Sequence, residues 1–261
     1  MARNFDGIDD RIVVPYRPAL AFLGNTLTIG GWVYPTTGST YRAVILKPYT
    51  TTHVDPYFDW AVYLYNTDKL SCWIKTGWVH STSTISLNVW THFVIVFDGA
   101  STDDLKFYLK GVLDNQLQNS QNIANPNSQD IRIGANRDNG NVFSGRLAEL
   151  FVSSRVWDAE MVRAVATRRA TPLDIDSGVT GYWKLNGIGG KERDFSAFAN
   201  HGAVTGATYA AHPPGVSQTL GRRKRYFFFG FVPVVAGQPT KIRTWGIPTA
   251  GAFRPGRGAW N

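Results

Sequence analysis

The chain has 261 residues, 43% hydrophobic and 13% aromatic, with nine Trp and two Met, which supplies bulk for a core and favours residues that suit pleated surfaces. Its net charge of +8 sits at one end: residues 216–261 hold eight basic residues and no acidic one, leaving 19 of the 27 basic residues against all 19 acidic ones in 1–215. A neutral body offers no basic groove, so nucleic acid is not an expected partner, and the tail reads as an interaction arm. The single cysteine, Cys72, excludes an intrachain disulfide, no run of ~18 apolar residues marks a membrane span, and MARNFDGIDDR reads as an N-terminus without a signal sequence, so synthesis in a cytoplasm is expected.

In chain order, a first strand is predicted over Arg11 to Pro15, ending at Pro15 and Pro18, which suit an edge. Leu27 to Tyr34 alternates as a second strand; Gly30-Gly31 would let a neighbouring side chain lie on bare backbone, and Trp32 is placed in the core. Ala43 to Lys47 is a short strand, followed by a polar loop and an aromatic pair of strands, Phe58 to Tyr65 and Leu70 to Lys75. Trp60, Tyr63, Tyr65, Trp73 and Trp78 crowd this pair, and two readings stand: core and cross-strand packing, or a platform on which a sugar ring stacks. The platform candidates are Trp78, read as exposed in a turn after Gly77, with Tyr63 and Tyr65.

Asn88 to Asp114 organises the middle of the chain. Trp90, His92, Val94 and Val96 alternate with Thr91, Phe93, Ile95 and Phe97, so both faces are apolar and the strand belongs in a covered sheet, with His92 a satisfied core histidine. Leu105, Phe107 and Leu109 resume the period of two after Asp98-Gly99, and Lys110-Gly111 closes a hairpin. Asn115 to Gln129 reads as a loop, and Ala135 to Asn141 as a second. Asp158 to Arg169 is the one clear helix, with Asp158 as cap, Glu160 in the first turn and Arg168-Arg169 at the end.

The order Phe5-Asp6-Gly7, Leu27 to Pro35, Trp90 and His92, Phe97-Asp98-Gly99, Gly111, Ile133-Gly134, Phe143 to Val152 and Trp157 to Val162 resembles a laminin-G-like domain, a branch of the concanavalin A-like jelly-roll sandwiches. Gly181 to Leu185, Asp194-Phe195-Ser196 and Asn200 to Tyr209 resemble what such domains carry before the Phe-Asp-Gly opening. Their place at the end implies a circular permutation, with the last strands pairing beside Phe5 to Val14. The expected architecture is therefore an all-β antiparallel sandwich over residues 1–215, with one short helix, and an extended C-terminal arm over 216–261.

The resemblance implies no cofactor beyond a calcium ion, for which Asp138, Asn139 and Asn141 are the candidates and an asparagine-rich turn the alternative. Ala148 stands where many relatives have aspartate. Glu149, Glu160 and Glu192 fall in three different elements, with no acidic neighbour at i+2, so the carboxylate pair of a glycosidase is missing and no catalysis is expected. In the tail, Arg222, Arg223, Lys224 and Arg225 precede Tyr226, Phe227, Phe228, Phe229 and Phe231, an apolar run that demands a cover; these are the candidate docking residues towards other copies of the chain or other subunits. The implied function is a virion structural protein of a bacteriophage, a capsid decoration or adhesin-like subunit; the alternative is a carbohydrate-binding module of a bacterial surface protein, with a cell-surface glycan as partner.

Overall fold

Alternation of apolar residues produces the strands β1 (Ala2–Asp6), β2 (Arg11–Val14), β3 (Thr26–Pro35), β4 (Arg42–Pro48), β5 (Phe58–Leu64), β6 (Lys69–Ile74), β7 (Gly77–Thr84) and β8 (Thr91–Asp98). They are followed by β9 (Leu105–Leu109), β10 (Val112–Leu117), β11 (Ile131–Ile133), β12 (Ser144–Ser153), β13 (Val179–Trp183), β14 (Lys191–Glu192), β15 (Gly202–Thr205) and β16 (Thr208–Ala210), with helices α1 (Ala159–Ala166) and α2 (Pro172–Ile175) between β12 and β13. The computed structural model describes residues 1–21, 25–52, 54, 57–74, 77–99, 105–118, 127–187 and 189–215. The expectations for the docking residues Arg222 to Phe231 lie outside these. No helix among the described residues is long and apolar enough to cross a membrane.

The strands form an all-β antiparallel sandwich. One sheet, A, runs β10-β9-β8-β3-β12-β1-β16 with β13 also paired to β12; the other, B, runs β14-β15-β2-β11-β4-β5-β6-β7. Inward residues such as Trp60, Val62 and Leu64 of β5, Cys72 and Ile74 of β6, and Phe93, Ile95 and Phe97 of β8 fill one core between them. Val94 and Val96, on the other face of β8, are buried by Val162 and Val165 of α1, which explains why that strand is apolar on both sides. Asp158 caps α1, its side chain accepting from the Met161 N–H at 2.8 Å. Gly30 lies against the Phe151 ring, which a Cβ there would meet at 2.6 Å, so the bare backbone anticipated in the sequence is used.

Lys110 and Gly111 both have positive φ, 54° and 83°, the paired left-handed geometry of a two-residue hairpin turn. The strand after it was expected to give way to a loop at Asn115, but β10 continues to Leu117 as the edge of sheet A. Its residues are mostly exposed, so it lacks the apolar alternation by which a strand is recognised. Gly77 to Thr84 was likewise not expected as a strand; β7 is the opposite sheet's edge, polar for the same reason.

Two aromatic assignments change. Trp32 is half-buried on the outer face of sheet A, not in the core, with the Arg168 guanidinium 4.8 Å above its ring. His92 is buried as expected but not satisfied: neither ring nitrogen has a hydrogen-bond partner among the described residues. Its neighbour is the Trp32 ring, edge to face at 5.0 Å.

The C-terminal strands do pair beside the first two. β16 joins β1 with Arg3 opposite Tyr209, and β15 joins β2 with Val13 opposite Ala203. A buried ion pair fastens this closure: Arg3 Nε lies 3.1 Å from Glu192 Oε2, and the guanidinium also donates to the carbonyls of Ala207, Gly187 and Gly189.

Candidate functional site

The outer face of sheet B carries a second apolar layer. Because successive side chains on a strand point to opposite faces, the register that sends Trp60, Val62 and Leu64 inward turns Ala61 and Tyr63 outward, and the one that buries Cys72 and Ile74 turns Ser71 and Trp73 outward. Trp78 of β7 is the register partner of Trp73, and Ala61 is its partner on the other side. Large rings thus stand side by side on this face, and Tyr41 and Tyr57 from outside the strands complete a hollow over them.

That hollow is a cavity of about 250 Å³ lined by seven aromatic rings and the Asn141 side chain. Phe58, Tyr63 and Trp73 are buried and make its floor, whereas Trp78 and Tyr65 are half-buried and Tyr41 and Tyr57 are exposed at its rim. The rings hold one another edge to face: Trp78 to Trp73 at 5.4 Å, Trp78 to Tyr63 at 5.0 Å, and Tyr41 to Tyr65 at 4.6 Å, geometries that fix ring orientation. Burial pushes the Tyr63 phenol well above its ordinary pKa, and the Tyr41 contact, with burial second, raises that of Tyr65. Behind Tyr65, the His80 ring lies tilted against it at 4.6 Å and shares a 2.7 Å hydrogen bond through Nδ1 with Ser71 Oγ. Burial first and Lys69 second hold His80 below the ordinary histidine range, so it is neutral near pH 7.

Of the residues singled out in the sequence, Trp78, Tyr63 and Tyr65 all line this one cavity. Trp78 stands on a strand rather than in a turn, and Trp60 is core. Trp73, named in the same cluster but not among the platform candidates, joins them, as does Asn141, a candidate for calcium; Phe58, Tyr41 and Tyr57 were missed. Alternation with Cys72 and Ile74 was a sufficient signal for Trp73; Tyr41 and Tyr57 come from connections before β4 and β5 that carry no periodicity.

Asp138, Asn139 and Asn141, the calcium candidates, lie between β11 and β12. The turn uses its own side chains, Gly140 N–H donating to Asn136 Oδ1 at 2.6 Å. Arg132 places a guanidinium on Asn139 Oδ1 at 3.5 Å, and Asn141 lines the aromatic cavity. Among the described residues, one group of three carboxylates, Asp6, Asp9 and Asp10, lies close together; none of them lines the cavity. The three glutamates stay apart: Glu149 accepts from His212 at 2.9 Å on β12, Glu160 is in α1, and Glu192 is paired with Arg3.

A family model described as the concanavalin A-like lectin/glucanases superfamily matches residues 6–163. No match was found among curated proteins. Among solved structures, a proposed carbohydrate-binding protein from Bacteroides ovatus superposes with a TM-score of 0.62 at 17% identity, covering 79% of this chain and 58% of that one. This chain therefore spans less than two thirds of that protein's length. A native heptameric SAP-like pentraxin from Limulus polyphemus gives a TM-score of 0.49 at 15% identity over 63% of this chain and 81% of that one. The CBM40 of the Ruminococcus gnavus IT-sialidase gives 0.49 at 12% identity over 64% and 98%.

Proposed function

The chain belongs to the concanavalin A-like lectin/glucanases superfamily, and on that premise we propose that it is a non-catalytic glycan-binding module that seats a sugar ring in the aromatic cavity of sheet B. One observation carries the reading: seven aromatic rings gather at a hollow on a solvent-facing sheet, with Tyr41 and Tyr57 exposed at the rim. Contiguous exposed apolar surface of this kind marks a binding site, and a flat ring face with phenol and indole donors at its edges suits a pyranose, which is apolar on its faces and polar around its rim. The Bacteroides ovatus protein, proposed to bind carbohydrate, is in keeping with this. Glycoside hydrolysis needs two carboxylates flanking the bond, and among the described residues no carboxylate lines the cavity. A virion role, expected from the sequence, draws no support from the matched family or from the cavity.

The test is intrinsic tryptophan fluorescence during titration with a glycan panel. A member of the panel should shift the emission, and Trp78→Ala should abolish the shift while leaving the fold intact by circular dichroism. A panel-wide absence of binding to the wild-type chain sinks the proposal, as does binding that survives Trp78→Ala and Tyr65→Ala together.

A further inference from the structure

Resting on the glycan reading, we infer that the cavity selects an uncharged pyranose at the end of a glycan and discriminates against sugars that carry a carboxylate. Among the described residues, none that lines it is acidic or basic. An anionic sugar entering it would exchange the hydration of its charge for phenol hydroxyls, indole N–H groups and one amide, with no cation among the lining residues to compensate, and an unpaired charge removed from water is costly. Of the cations on the neighbouring strands, Arg42 is buried and ion-paired with Asp68, Lys47 is buried with its ammonium 3.5 Å from Asp59 and 2.6 Å from Asn127 Oδ1, and Lys69, which acts on His80, does not line the cavity. His80, behind Tyr65, is neutral. Burial first and the Asp138 carboxylate after it raise the Tyr63 phenol, so the sign of that charge also disfavours an anion.

Size points the same way. At about 250 Å³ the cavity is smaller than the roughly 300–1,000 Å³ that encloses drug-sized ligands, so it accommodates one ring and leaves the remaining sugars outside, past Tyr41 and Tyr57. Contact is then made by ring faces and neutral hydrogen bonds, and such binding is insensitive to ionic strength.

The experiment titrates the full chain with neutral methyl hexopyranosides and with the methyl uronides that differ from them only by a carboxylate, and with lactose against sialyllactose, at about 50 and about 500 mM salt. At least one neutral member should bind with a Kd that changes less than about twofold with salt, its carboxylated counterpart being weaker by about tenfold or more. Tyr41→Arg, a change at an exposed rim position, should narrow that gap and make the residual uronide binding salt-sensitive. A uronide or sialylated sugar that binds as tightly as its neutral partner, with binding lost in Trp78→Ala, overturns the selectivity and leaves the glycan site standing. Absence of binding by every sugar overturns both.

Discussion

The two unpartnered nitrogens of His92 make a quantitative prediction about acid stability. Burial first, opposed by Glu149 and aided by Arg168, lowers its pKa to about 3, whereas in the unfolded chain it titrates near ~6.5. The native state therefore keeps the imidazole neutral over a range in which the unfolded state binds a proton, so stability falls as pH falls through that range. At ~1.36 kcal/mol per unit, the loss relative to neutral pH is about 2 kcal/mol by pH 5 and about 4 kcal/mol by pH 3, large against total stabilities of roughly 5–15 kcal/mol. Glu149 does not confuse the window. Its burial raises the carboxyl, but the hydrogen bond from His212 and the charges of Arg168 and His212 outweigh this and hold it below 4.5, so its own loss begins at lower pH. His80, also shifted down but partly exposed, adds a smaller loss in the same direction. Urea melts of wild type and His92→Phe between pH 7.5 and 5 should show a wild-type slope that the variant largely removes. At pH 7.5 the variant should be near neutral or more stable, since two unsatisfied polar atoms are replaced by carbon. Parallel pH profiles, or a variant that loses several kcal/mol at pH 7.5, would refute the assignment of His92 as a neutral, unpartnered group.

Arg3→Met leaves Glu192 as a buried uncompensated charge and should cost about 3–5 kcal/mol, lowering Tm by roughly 6–20 °C for a domain of this size; adding Glu192→Met should recover much of it, and simple additivity would show that the pair is not coupled. Asp158→Ala removes the α1 cap and should cost about 1 kcal/mol by thermal melt, whereas Asp158→Asn should cost little; equal losses would place the effect outside capping. For the tail we propose an assembly arm: truncation after Gly215 should leave Tm nearly unchanged and abolish any salt-sensitive self-association seen by sedimentation, and a truncated chain that melts early or associates as before fails that proposal.

The two-sheet class and most strands were legible because burial imposes a period of two wherever one or both faces are covered: Leu27 to Tyr34, Phe58 to Leu64 and Trp90 to Phe97 announce themselves. Strands at the sheet edges do not. Residues of β10 and the end of β7 lie mostly in solvent, so no apolar alternation marks them, and the main-chain pairing with β9 and β6 defines them. Trp32 was misplaced for a related reason. The outer face of its strand is covered at Gly30 by the Phe151 ring, and nothing local in the sequence says that the next outward side chain meets Arg168 instead.

The cavity was half visible for the same physical reason. A strand's own alternation reports which rings leave the core, so Tyr63 and Trp73 could be sorted from Trp60 by parity alone. Whether outward rings merely tile a surface or enclose a hollow depends on which of them the register sets side by side, here Trp73 with Trp78, and on the rings that other segments bring over them. Tyr41, Tyr57 and Asn141 then arrive from three connections far apart in sequence to build the rim. The recognition surface is thus a property of cross-strand pairing rather than of any segment, which is why the search for a motif found individual tryptophans and the register found a site.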